Sequence, residues 1–154
     1  MLDFPHLLDI PFLEPGQAIN SREIAAACKS QDLEIAAGDI VLLHTGWLSA
    51  MAYAGQDYVQ RSPGLGVDGA RYLAERSIVA IGADNAALEV LPSEDPTLAY
   101  PVHELLLPRN GIYILENVNT QAIVTRGVYE FLFVLAVPRF RGSVQMAANP
   151  VAVF

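Results

Sequence analysis

The stretch Pro101-Val-His-Glu-Leu-Leu-Leu-Pro-Arg-Asn-Gly-Ile-Tyr-Ile-Leu-Glu-Asn-Val118 sets metal-competent side chains among apolar ones with little local reason for them. Its punctuation predicts a short helix, a turn and a strand. Pro101 suits a first helical position, and Val102 to Leu107 supply about one and a half turns. Pro108-Arg-Asn-Gly111 is turn chemistry, after which the chain is released into a strand. Strand alternation would put Ile112, Ile114, Glu116 and Val118 on one face and Tyr113, Leu115 and Asn117 on the other. Glu116 then sits on an apolar stripe, where an ionised carboxylate needs either the rim or a partner. A metal ion is one such partner, with His103, thirteen positions earlier, as the natural second ligand. A rim glutamate beside a surface histidine is the other reading.

Working outward, 154 residues at 53% hydrophobic content suffice for one domain with a core. With only 17% of residues charged, more apolar surface is expected than a small monomer needs, hence a homodimer or higher homo-oligomer. The net charge of −8 speaks against nucleic acid and anionic membranes as partners. Cys28 is the single cysteine, so no internal disulfide forms, and it reads as a small core residue in a reducing compartment. The N-terminus lacks a basic signal-peptide region and no apolar run approaches the roughly 18 residues of a membrane span, which points to the cytoplasm.

In chain order, His6 to Ile10 resembles a strand, and Asn20 with Glu23 imitates a capping box for a helix from Ser21 to about Gln31. Ile40 to Thr45 reads as a strand buried on both faces. Leu48 to Ala54 has helical character, and a one-sided helix runs from Val67 to near Arg76. Ile78 to Ile81 is a further buried strand closing at Gly82-Ala-Asp84. Residues 85 to 100 form a long surface loop of the kind that carries function. Tyr129 to Val137 and Ser143 to Phe154 close the chain as an antiparallel pair. The expected architecture is α/β, with a mixed, partly antiparallel sheet or barrel-like core and flanking helices.

Several segments together resemble the putative cyclase family, metal-dependent hydrolases that include bacterial kynurenine formamidases and isatin hydrolases. They are Gly38-Asp-Ile-Val-Leu-Leu-His-Thr-Gly-Trp47, Ser62-Pro-Gly-Leu-Gly66 leading into Arg71-Tyr-Leu-Ala-Glu-Arg76, Ile81-Gly-Ala-Asp84, Pro101-Val-His103 and Ile114-Leu-Glu-Asn-Val118. Their order matches from about Leu7 to the C-terminus. The resemblance implies a swivelling β/β/α fold, zinc or manganese held by His103 and Glu116, and hydrolysis of a small amide or lactam, as in arylformamidases. Bound divalent metal would activate water and polarise the carbonyl. The family's main metal motif, His-x-Gly-Thr-His-x-Asp-x-Pro-x-His, lies upstream of the segment that here is Leu7 to Ile10. The chain is therefore expected to be N-terminally incomplete, with the catalytic base and most ligands outside it. His6, with Asp3 and Asp9, lacks that spacing. Asp84 and His44 are near-site candidates, although Asn85-Ala-Ala-Leu-Glu89 replaces the usual continuation after Asp84. The alternative is a noncatalytic remnant that oligomerises or binds a small molecule.

Overall fold

A computed structural model describes residues 1–51 and 57–154. The framework is a four-stranded parallel sheet in the order β1-β3-β5-β6, from β1 (Leu2–Asp3), β3 (Ile40–His44), β5 (Ala80–Ala83) and β6 (Tyr113–Leu115). Val41 pairs with Ile81, which pairs in turn with Ile114, so one row of branched side chains crosses the sheet. Helices α2 (Ser21–Ser30) and α5 (Val67–Ala74) cover that row with Ile24, Ala27, Ala70 and Leu73. Each large aliphatic side chain sealed here contributes on the order of 2 kcal/mol. On the opposite face Gly82 is held close by Leu42, Leu115 and Val118, so the chain returning after β6 covers that side. A parallel sheet covered on both faces explains why Ile40 to Leu43 is apolar throughout.

Two smaller pairings complete the fold. β2 (Ala18–Ile19) runs parallel to β4 (Gly64–Leu65), and β7 (Leu132–Val134) pairs antiparallel with β8 (Val151–Val153). The architecture is thus mixed α/β with flanking helices, as expected. Among the described residues no sheet closes into a barrel, because the three sheets remain separate.

Other expectations change in detail. His6 to Ile10 is not a strand: α1 (Phe4–Leu8) is helical, since the Asp3 side chain accepts the His6 N–H at 3.1 Å and Pro5 pre-sets the first turn. The strand foreseen at Ile78 begins at Ala80, after a left-handed Ser77. Helix α3 covers Trp47–Ala50; the remainder of the helix anticipated to Ala54 falls largely outside the described residues. Residues 85 to 100 contain no helix or named strand, yet their first half is buried instead of lying on the surface. The helix α6 (Pro101–Glu104) continues as a π-helical turn through Leu105–Arg109, taking in Pro108.

The β7–β8 ribbon is shorter than foreseen and uncovered. Its register pairs Leu132 with Val153 and Val134 with Val151, so these four share one face, at 46% to 64% exposure. Phe133 and Ala152 turn the other way and are half-buried.

Candidate active site: a histidine held between two glutamates

Helix α6 points Val102 and Leu106 into the core, one turn apart. His103, next along the helix, is thereby directed outward into a cleft of about 430 Å³. The cleft is lined by Ala86, Ala87, Tyr100, His103, Glu116 and Gln145. The Tyr100 ring meets the imidazole edge-on, at 5.4 Å between centroids. Glu116 follows immediately after β6, and its Oε1 lies 3.3 Å from His103 Nε2. The structure therefore brings the two residues foreseen as ligands side by side. Val118 does not share their face: Asn117 is left-handed, which breaks the alternation and turns Val118 toward Gly82.

A third member was not foreseen. Glu89 is 1% exposed, and its Oε1 lies 2.5 Å from His103 Nδ1. The same carboxylate accepts the backbone N–H groups of Val102 and His103, at 3.3 and 3.4 Å. These are donors that the start of a helix leaves unpartnered, and Tyr100 supplies no side-chain cap. Glu89 reaches them because its segment runs beside β4, with Leu65 N–H on Leu88 O and Val90 N–H on Leu65 O. The fit leaves no room at Gly64, where a Cβ would stand 2.5 Å from the Glu89 carbonyl carbon. Asn85 braces the same turn by donating to Pro63 O and Leu88 O. Farther on, Glu94 accepts from Asn20 Nδ2 and from the Val67 N–H, clamping the loop to the start of α5.

Two carboxylates on one imidazole stabilise its charged form. Glu116, and then Glu89, outweigh the opposing effect of burial and hold His103 up to about 9, from an ordinary value of 6.5.

His44 and Asp84 make a separate cluster. Asp84 accepts the Thr45 N–H, the Thr45 hydroxyl and the Gly46 N–H at 2.5 to 2.8 Å, tying the end of β5 to the end of β3. His44 Nδ1 lies 2.7 Å from Thr120 Oγ1 and 3.4 Å from Asp84 Oδ2. Both side chains are buried, and neither lines the cleft. The link to the first cluster runs through Asn117, whose N–H donates to Asn85 O and whose side chain accepts the Tyr58 hydroxyl at 2.5 Å. Burial, with the charges of Asp84 and Glu116, pushes that phenol up to about 12. His6 is exposed on α1 and takes no part. Cys28, expected in the core, is only partly buried and packs against its edge.

As a metal site the arrangement is partial. His103 Nε2 and Glu116 Oε1 face the same space and suit a divalent cation, while Glu89 holds the far side of the ring as carboxylates behind ligating histidines do. Among the described residues, no group of three His, Cys, Asp or Glu side chains is arranged to hold a metal ion.

The sheet and its flanking helices make a mixed α/β framework, and the comparisons with known proteins give its family. The model of the family described as Putative cyclase matches residues 2–90, more than half of the chain, which therefore belongs to that family. Glu89 falls within the matched region; His103 and Glu116 lie beyond it. A crystal structure of a novel cyclase superposes with a TM-score of 0.87 at 26% identity, covering 99% of this chain and 51% of its own. Isatin hydrolase A from Labrenzia aggregata, solved with benzyl benzoate, superposes with a TM-score of 0.60 at 24% identity, covering 79% of this chain and 47% of its own. The chain thus spans about half the length of these two structures. No curated protein matches it in sequence. No helix among the described residues is long and apolar enough to cross a membrane.

The raised His103 value gives a pH prediction for the metal-free chain. Because the folded value of about 9 exceeds the ordinary 6.5, the pair's stabilisation is fully present below about pH 6.5 and is lost as pH rises through about 9. Ring-proton NMR should show His103 titrating near 9, with Glu116→Gln moving it downward. A His103 titrating near 6.5 in the wild type would mean that the two carboxylates do not hold it.

Proposed function

We propose that the chain is the C-terminal portion of a metal-dependent hydrolase acting on a small amide or lactam, of the arylformamidase kind. The observation that carries this reading is the convergence of His103 Nε2 and Glu116 Oε1 on one cleft, backed by the buried Glu89. Zinc or manganese suits an imidazole and a carboxylate as donors. When bound there, it would supply Lewis acidity toward the substrate carbonyl and make water a stronger acid. His103 and Glu116 would orient it, Tyr100 would offer an aromatic wall to the substrate, and Ala86 and Ala87 leave room beside it. Two side chains make too few ligands for a closed site, so the remaining ligands and the catalytic base would come from outside the chain, from an upstream segment or another subunit. The resemblance of this fold to isatin hydrolase A accords with a C–N hydrolase.

A noncatalytic role is the second reading. It is favoured by the absence of a third ligand among the described residues and by the commitment of Asp84 to Thr45 and Gly46. The two readings separate when the chain is supplied with a segment bearing the His-x-Gly-Thr-His pattern and with zinc or manganese. Metal-dependent hydrolysis of N-formylkynurenine or isatin is then expected, reduced at least a hundredfold by Glu116→Gln. A folded, metal-loaded assembly without hydrolysis would favour the noncatalytic role.

We also propose that a second copy of the chain covers the exposed face of Leu132, Val134, Val151 and Val153. An isolated two-stranded ribbon is marginal in water, so an uncovered apolar face on one calls for a partner. Charge favours a like chain: residues 121–154 carry three arginines and one glutamate, a net +2, whereas residues 1–120 carry six basic and sixteen acidic side chains, a net −10. Light scattering at micromolar concentration should give a dimer or larger species, and Leu132→Lys with Val153→Lys should give a monomer. A monomeric wild type would leave this face to a different partner.

A further inference from the structure

We infer that Glu89 is a positioning residue, which fixes the face of the His103 ring and the ring nitrogen offered to the cleft; this rests on the metal-site reading above. The geometry leaves Glu89 little alternative. Its carboxylate is sealed from water, and a buried ionised carboxylate must be met by donors. It has three: the N–H groups of Val102 and His103, and His103 Nδ1.

Both carboxylates only accept when ionised. The contact of Glu89 with Nδ1 at 2.5 Å is far shorter than that of Glu116 with Nε2 at 3.3 Å, so a single ring proton belongs on Nδ1. When the ring is neutral, Nε2 is therefore the bare nitrogen, and it is the one beside Glu116. The two glutamates thus have separate tasks. Glu116, half-buried at the cleft, is free to exchange its hydrogen bond to Nε2 for a shared cation. Glu89 cannot leave, because the same two oxygens hold the first turn of α6 and the ring it carries. Its backbone is pinned by β4 and packed against Gly64, so the carboxylate is held rigidly enough to orient another group.

Two measurements on the full chain test this. The ring nitrogens of His103 are observed by NMR in metal-free protein at a pH where the ring is neutral; the expected spectrum has the proton on Nδ1 and a bare Nε2. Zinc titration by calorimetry then compares wild type with Glu89→Gln and with Glu94→Gln, which alters the same loop but not the histidine. Glu89→Gln is expected to weaken zinc binding by about tenfold to a hundredfold, and Glu89→Asp to recover part of the loss. Glu94→Gln should change the melting temperature and leave zinc affinity as it was. A proton on Nε2 in the wild type would overturn the inference, as would a folded Glu89→Gln variant that binds zinc like wild type. Failure of the wild type to bind zinc would remove the metal reading alone, since the nitrogen spectrum still decides what Glu89 does.

Discussion

An ionised carboxylate out of contact with water is costly by several kcal/mol unless donors surround it, and the half of the molecule that carries the cleft answers that requirement at Glu89. The helix α6 begins where its first N–H groups can reach Glu89, and His103 is oriented by the same oxygens. The loop returns along β4 to bring the carboxylate there, braced by Asn85 and clamped farther on by Glu94. Removal of Glu89 would leave two backbone donors and an imidazole without their partner at one point. The cleft is thus a consequence of how one buried charge is satisfied.

The contrast with Asp84 shows how burial separates scaffold from site. Asp84 is also sealed, but three donors from Thr45 and Gly46 occupy it, and its work is to join the ends of β3 and β5. In the Glu89, His103 and Glu116 group, satisfaction is complete on the inner side only. The outer pair faces open space, and the Nε2 proton that the charged ring offers to Glu116 is one that a cation could replace. The high His103 value expresses the same fact: the site stabilises positive charge at that point.

Much of this was legible in the sequence. The uninterrupted apolar run at Ile40 announced a doubly covered parallel strand, the Asn20 and Glu23 pair announced α2, and the spacing of His103 and Glu116 across a turn brought them together. Glu89 was missed, although it stands alone among Ala86, Ala87, Leu88, Val90 and Leu91, and the reasoning that singled out Glu116 applies to it equally. Reading residues 85 to 100 as surface loop hid it, because irregular backbone is buried here by pairing with β4. Asp3-Phe-Pro carried a helix start that the apolar character of the following residues masked. The left-handed turn at Asn117 was not legible, since asparagine only permits that conformation and tertiary contacts to Asn85 and Tyr58 select it.

The account stands on one division of labour, with Glu89 behind the ring and Glu116 in front of it. Anomalous diffraction from crystals of the chain soaked in zinc addresses it directly. The expected result is an ion bonded to His103 Nε2 and a Glu116 carboxylate oxygen, with Nδ1 still on Glu89. Zinc bonded to His103 through Nδ1, or zinc taking Glu89 as a direct ligand, would contradict it.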